Sequence, residues 1–103
     1  MSVAVQVARG ALYLSRDVYA HHLDGIGSII LLGRGPDLLI LPVRHAASGG
    51  YLLKLRNRAG DRVVHAPDFF RAQGIPDEDE REIQVVWDVE QGGFVGQNAL
   101  ATS

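Results

Sequence analysis

Ser15-Arg-Asp-Val-Tyr-Ala-His-His-Leu-Asp-Gly-Ile26 and Ala66-Pro-Asp-Phe-Phe-Arg-Ala-Gln-Gly-Ile75 read as two versions of one segment, the first carrying two extra residues. Each sets an aspartate two residues in (Asp17, Asp68), follows it with two bulky apolar residues, and closes on Gly-Ile. Ser15 before Asp17 supplies an N-cap and a first-turn acid, which predicts a short helix through Leu23 stopped by Gly25. Pro67 suits the first position of a second helix, Asp68 to Gln73, stopped by Gly74.

The flanks of the two segments also agree. Val3, Val5 and Val7 alternate with smaller or polar residues as a half-buried strand does. Arg9-Gly10 breaks that strand, and Ala11 to Leu14 resumes it. After the first helix, Ser28 to Leu32 and Asp37 to Val43 are apolar runs around Gly33-Arg34-Gly35-Pro36, a hairpin signal. Pro42 fits only an edge or a strand end. His45 to Gly50 is small and glycine-rich, the boundary candidate. Beyond it the order recurs: strand Tyr51 to Arg56, turn Asn57 to Gly60, strand Arg62 to His65, the second helix, then a hairpin with arms Glu82 to Asp88 and Phe94-Val95 around Val89 to Gly93. Gly96 to Ser103 has no pattern and is expected to fray.

This recurrence predicts a duplicated β-β-α-β-β unit of about 45 residues. The pseudo-repeats run from about 3 to 44 and from about 51 to 96 within a single domain, 1–103. The expected fold is mixed and mostly β, with two short helices. So short a unit cannot bury its own apolar face, so the copies are expected to share one barrel-like core.

Composition bounds the function. The chain has 103 residues, 47 % of them hydrophobic and 21 % charged, with a formal net charge of −2 and no cysteine. That is globular composition and excludes a disulfide framework, thiolate metal ligation and thiol nucleophiles. The longest aliphatic runs, Ile29 to Leu32 and Leu38 to Leu41, are far short of the roughly 20 residues of a membrane span. The first residues carry no signal-peptide pattern. The expectation is a cytoplasmic protein without a membrane partner, and its small size makes a homo-oligomer natural.

Asp61-Arg-Val-Val-His-Ala-Pro-Asp-Phe-Phe-Arg-Ala-Gln-Gly-Ile75 resembles the signature of the AbrB/SpoVT swapped-hairpin superfamily. Arg62, Val63, Val64, Asp68, Phe69, Ala72, Gly74 and Ile75 fall on its positions, and residues 52 to 95 are covered. The first copy matches more weakly, through Gly10, Leu12, Leu14, Asp17, Val18, Leu23, Gly25 and Ile26. The tandem copies are similar to the MraZ arrangement in that superfamily. The departures are Ala66 and Ser15 where a proline is usual, Asp61 where the glycine precedes the arginine, Ala11 where the first copy would carry the arginine, and His65 for an apolar residue. The resemblance implies a pseudo-duplicated swapped-hairpin barrel and binding to double-stranded DNA through basic residues of the paired strands and turns.

The residues themselves offer one basic stretch. Between 54 and 71 stand Lys54, Arg56, Arg58, Arg62 and Arg71 against Asp61 and Asp68. Lys54, Arg56 and Arg58 are spaced by two. If the strand runs on into the turn, they form one cationic row, which suits a β-ribbon laid along phosphates or in the major groove. Arginine adds bidentate contacts to guanine edges and phosphates. The same pattern also suits the solvated face of an ordinary small domain. The segment 76–82, five carboxylates and one arginine, reads as a solvated acidic loop.

The remaining features point away from catalysis. His21 and His22 are adjacent and diverge on a helix, and neither they nor His45 and His65 form a metal-ligand pattern. Ser15, His65 and Asp68 lack a nucleophile-elbow context. Trp87, Phe69 and Phe70 read as packing residues. The expectation is a DNA-binding transcriptional regulator or antitoxin-like protein, not an enzyme, with no cofactor or metal, contacting DNA through Lys54, Arg56, Arg58 and Arg62. The alternative is a noncatalytic adaptor that holds a protein partner on the same small β fold.

Overall fold

The structure, a computed structural model, describes residues 2–44 and 50–101. Most of the expected boundary segment, residues 45–49, lies outside the described residues. The elements run β1 (Ser2–Ala8), β2 (Ala11–Leu14), α1 (Arg16–His22), β3 (Ser28–Arg34), β4 (Asp37–Val43), β5 (Tyr51–Leu52), β6 (Lys54–Leu55), β7 (Arg62–His65), α2 (Pro67–Ala72), β8 (Glu80–Asp88) and β9 (Gly93–Gly96). The fold is mostly β with two short helices, as the sequence predicts.

All nine strands join one antiparallel sheet in the order β5-β3-β4-β9-β8-β1-β2-β7-β6. Its two ends, β5 and β6, are separated in the chain by Leu53 alone, whose N–H donates to the Gly27 carbonyl at 2.9 Å. The sheet therefore curls into a nearly closed barrel, which removes most of the edge an open sheet exposes. Here the sequence reading needs correction. Tyr51 to Arg56 is not one strand, because its two parts pair with different neighbours, β5 with β3 and β6 with β7.

The pairings fall into matched sets. The β1–β2 pair has its counterpart in β6–β7, and β3–β4 in β8–β9. The first strand of each half pairs with the third of the other, β1 with β8 and β5 with β3. Antiparallel contacts between equivalent strands, β2–β7 and β4–β9, join the halves. Leu12 faces Val64 and Tyr13 faces Val63, a register in which residues separated like Asp17 and Asp68 exchange places.

Alternation decides the interior. Val5, Val7, Leu12, Leu14, Leu38, Ile40, Val64, Ile83, Val85 and Phe94 face inward and are buried, and Val18 of α1 and Phe70 of α2 join them. The helices start differently. Ser15 Oγ accepts the Val18 N–H at 3.3 Å. Ala66 has no side-chain cap, and its own N–H donates to the Gly10 carbonyl at 2.9 Å while Pro67 opens α2. Gly10 is needed there for two reasons. It holds φ +72° in the β1–β2 turn, and a Cβ would stand 2.7 Å from that of Pro67.

Two more expectations are corrected. The chain after Gly96 does not fray at once: Asn98 N–H donates to Asp37 Oδ1 at 2.9 Å, Leu100 N–H donates to the Pro36 carbonyl at 2.8 Å, and Leu100 is buried. The acidic segment is not all loop, because β8 begins at Glu80 and pairs with β1 from there. Pro42 lies beyond the last β4–β9 pair, Ile40 with Phe94, where its missing N–H costs no rung of that ladder. No described helix is long and apolar enough to cross a membrane.

Candidate nucleic-acid interface

Residues directly opposite one another across a sheet share a face. Lys54, Val63, Tyr13, Gln6 and Glu82 therefore form one row across β6, β7, β2, β1 and β8. Leu12 and Leu14 face inward, so Tyr13 and its row face outward. The neighbouring outward row holds His65, Ala11, Ala8 and Glu80. This wall of the barrel carries the predicted basic residues.

The structure separates them. Lys54 is exposed at the end of the row. The Arg56 N–H donates to the Asp61 carbonyl at 2.8 Å, and its guanidinium carbon lies 4.6 Å from the centre of the Tyr13 ring, a cation–π contact on the same outer wall. Arg58 is exposed in the turn that follows. Because β6 ends at Leu55, the expected row of Lys54, Arg56 and Arg58 does not continue along one strand. Arg62 is apart from the other three. It pairs opposite the buried Leu14, is half-buried, and rests its guanidinium 4.0 Å from the centre of the Tyr19 ring of α1. Packing against a helix is what that arginine does here.

Asp61, between the basic residues, is fully engaged. Its carboxylate accepts the Arg16 N–H at 2.8 Å and the Asn57 side-chain amide at 3.0 Å, while its own N–H donates to Asn57 Oδ1 at 3.2 Å. These two donors, the Asn57 amide first, together with the Arg56 and Arg16 charges, hold the Asp61 carboxyl below its ordinary range against a smaller opposing effect of burial. Asp61 thus ties the β6–β7 turn to the start of α1.

Tyr13 and Arg56 form a ridge with an open groove on either side. One, of about 280 Å³, is lined by Gln6, Arg9, Tyr13, Arg56, Arg81, Glu80 and Glu82 among others. The other, of about 210 Å³, runs past Ala4, Leu14, Ser15 and Asp61. Sequence reasoning missed Tyr13, Gln6, Arg9 and Arg81. The outward parity of Gln6 and Tyr13 was legible, but their place beside Arg56 depends on which strands become neighbours; Arg81, opposite Val7, and Arg9, in the β1–β2 turn, gave no such signal. Two of these arginines are already paired, Arg9 with Glu80 at 3.3 Å and Arg81 with Asp79 at 3.2 Å. Arg71 is held by Asp77 at 3.1 Å, which raises its pKa further.

His21 and His22 serve local packing. His21 Nδ1 lies 2.7 Å from the Asp17 carbonyl, and His22 stacks on Trp87 with ring centres 4.6 Å apart. Among the described residues no group of three His, Asp or Glu side chains is placed to hold a metal ion, and no polar or charged side chain is buried. No known protein family, curated protein or solved structure matches this chain.

Proposed function

We propose that this chain is a DNA-binding regulator or antitoxin-like protein of the AbrB type, acting in the cytoplasm, in which the β6–β7 hairpin meets double-stranded DNA. The observation that supports it most is the exposure of Lys54, Arg56 and Arg58 on a hairpin whose turn is pinned to α1 through Asp61. A rigid ribbon bearing cations at its tip can follow phosphates or enter a major groove at little ordering cost. Arg62 belongs to the support of that ribbon through Tyr19. The matched strand pairings support reading the chain as a duplication of the swapped-hairpin kind.

The test is duplex binding followed by fluorescence anisotropy at rising salt. Affinity is expected to fall steeply, with a log–log slope of about −0.9 per phosphate contacted. Arg56→Ala with Arg58→Ala should remove most binding and make the slope shallower by about two contacts. Absence of duplex binding at low salt defeats the proposal. A second reading, a noncatalytic protein-binding adaptor, draws support from the outward carboxylates Glu80 and Glu82 beside the Tyr13 groove. It predicts affinity for a basic peptide that Glu80→Gln with Glu82→Gln abolishes.

A further inference from the structure

Tyr13 stands at the middle of the wall that carries the basic residues, opposite Gln6 of β1 on one side and Val63 of β7 on the other. It is half-buried, and the guanidinium carbon of the exposed Arg56 lies over its ring, 4.6 Å from the centre. The backbone of Arg56 is held as well. Its N–H donates to the Asp61 carbonyl at 2.8 Å, and the Asp61 carboxylate accepts the Arg16 N–H at the start of α1. The other arginines around this wall are held differently. Arg9 and Arg81 meet carboxylates, Glu80 at 3.3 Å and Asp79 at 3.2 Å, so each enters a new contact only by giving up an ion pair. Arg62 also lies over a ring, that of Tyr19, but it is half-buried beside α1. Among the described residues no carboxylate comes within ion-pairing distance of the Arg56 guanidinium. An aromatic face attracts a guanidinium without neutralising it or occupying the N–H donors at its edge.

We propose that Tyr13 is the positioning residue of this interface: it sets the Arg56 guanidinium in place before DNA arrives, ready for a bidentate contact with a phosphate or a guanine edge. This role rests on the DNA reading and adds to it a division of labour between neighbouring cations. A long side chain that is free in water loses its rotamer freedom on binding, which weakens association by roughly two- to tenfold for each one immobilised. Arg56 has given up part of that freedom in the free protein, whereas Arg58, exposed in the turn, loses it at the contact. The open grooves on both sides of the Tyr13–Arg56 ridge leave the edge of the guanidinium accessible. Two phosphate oxygens, or O6 and N7 of guanine, offer the same pair of acceptors to an arginine fork. Tyr13 touches no DNA in this arrangement, and its effect passes entirely through Arg56.

A double-mutant cycle on the full chain, read by fluorescence anisotropy with a G·C duplex and an A·T duplex of equal length, isolates the coupling. Tyr13→Leu removes the ring and keeps an apolar side chain. It should weaken binding by roughly two- to tenfold and leave the salt slope unchanged, because the number of cations is the same. Tyr13→Phe keeps the ring and should bind within about twofold of wild type. In an Arg56→Ala background, Tyr13→Leu should change nothing further, with circular dichroism showing each fold retained. A loss on both duplexes alike assigns the contact to a phosphate, and a loss confined to the G·C duplex assigns it to a guanine edge. NMR of the free wild-type chain checks the placement without any substitution: the Arg56 Hδ protons should carry an upfield ring-current shift from Tyr13. Hδ signals at ordinary positions overturn the proposal. So does a Tyr13→Leu loss of the same size with and without Arg56, or no loss at all, and in each of these cases duplex binding by the wild type still stands. A wild type that binds neither duplex at low salt defeats the DNA reading itself, and the role of Tyr13 with it.

Discussion

The two outer walls of the barrel are built on the same backbone and the same alternation, yet they have different surfaces. Outside β7, β2, β1 and β8 the central side chain is Tyr13, half-buried and covered by the Arg56 guanidinium, with Lys54 at one end of its row and Glu82 at the other. Outside β3, β4 and β9 the central side chain is Leu39, buried between its row partners Leu32 and Val95. The first wall keeps its polar groups in water and so can exchange them for phosphates or carboxylates of a partner. The second gains only by removing apolar area from water. The two surfaces differ in expected response: salt should weaken any contact made by the first and leave one made by the second largely unchanged.

That contrast can be broken at its centres. Leu39→Ala should destabilise the fold by about 3 kcal/mol, as other buried leucines do, whereas Tyr13→Ala should cost about 1 kcal/mol and mainly release Arg56. Thermal unfolding of both variants measures the gap, and equal losses would mean that the walls are packed alike. Next in size is Gly10→Ala, expected to cost about 2 kcal/mol because a Cβ meets Pro67 and φ is positive. Chemical denaturation checks it, and a neutral result would place the α2 contact outside the stabilising set.

Asp61 supplies a pH test confined to the charged wall. The Asn57 amide and the Arg16 N–H hold its carboxyl below the ordinary carboxylate range, so the stabilisation it gives is complete above the unfolded value and is lost as pH falls through the lower folded one. Asp61→Asn should therefore lower the melting temperature at pH 7 and lose that difference as pH falls through the lowered folded value. A deficit that persisted in acid would mean that the lost contribution was not that of the carboxylate. The smallest effect on stability is expected for Arg56→Ala with Arg58→Ala, within about 0.5 kcal/mol as for exposed substitutions, despite the loss of DNA binding predicted for the same pair.

Much of the fold was legible because it follows from local chemistry. The valine alternation of Val3, Val5 and Val7, Arg9-Gly10 in a tight turn, Ser15 as a cap, and Gly35-Pro36 between two aliphatic arms each carry their structure within a few residues. The break at Leu53 was not legible, since Tyr51 to Leu55 holds no glycine, proline or other turn residue and the interruption arises because the two ends of the segment pair with different strands. Leu100 gave no signal either, because its contacts with the barrel cross the whole chain. The candidate site divided the same way. The basic content of residues 54 to 62 could be counted, but the capture of Arg62 by Tyr19 and of Arg56 by Tyr13 depends on neighbours far away in the chain.

By itself the sequence determined a mostly β chain with two short helices and a basic stretch followed by an acidic one. Periodicity, caps and turns act over a few residues, and charge is additive. Only the tertiary structure decided that β1 pairs with β8 and β2 with β7. That choice set which outward residues share a wall, which cations stay free, and that the opposite wall is aliphatic. Those outcomes depend on ladders between residues distant in the chain, and no local pattern encodes which strands will lie side by side.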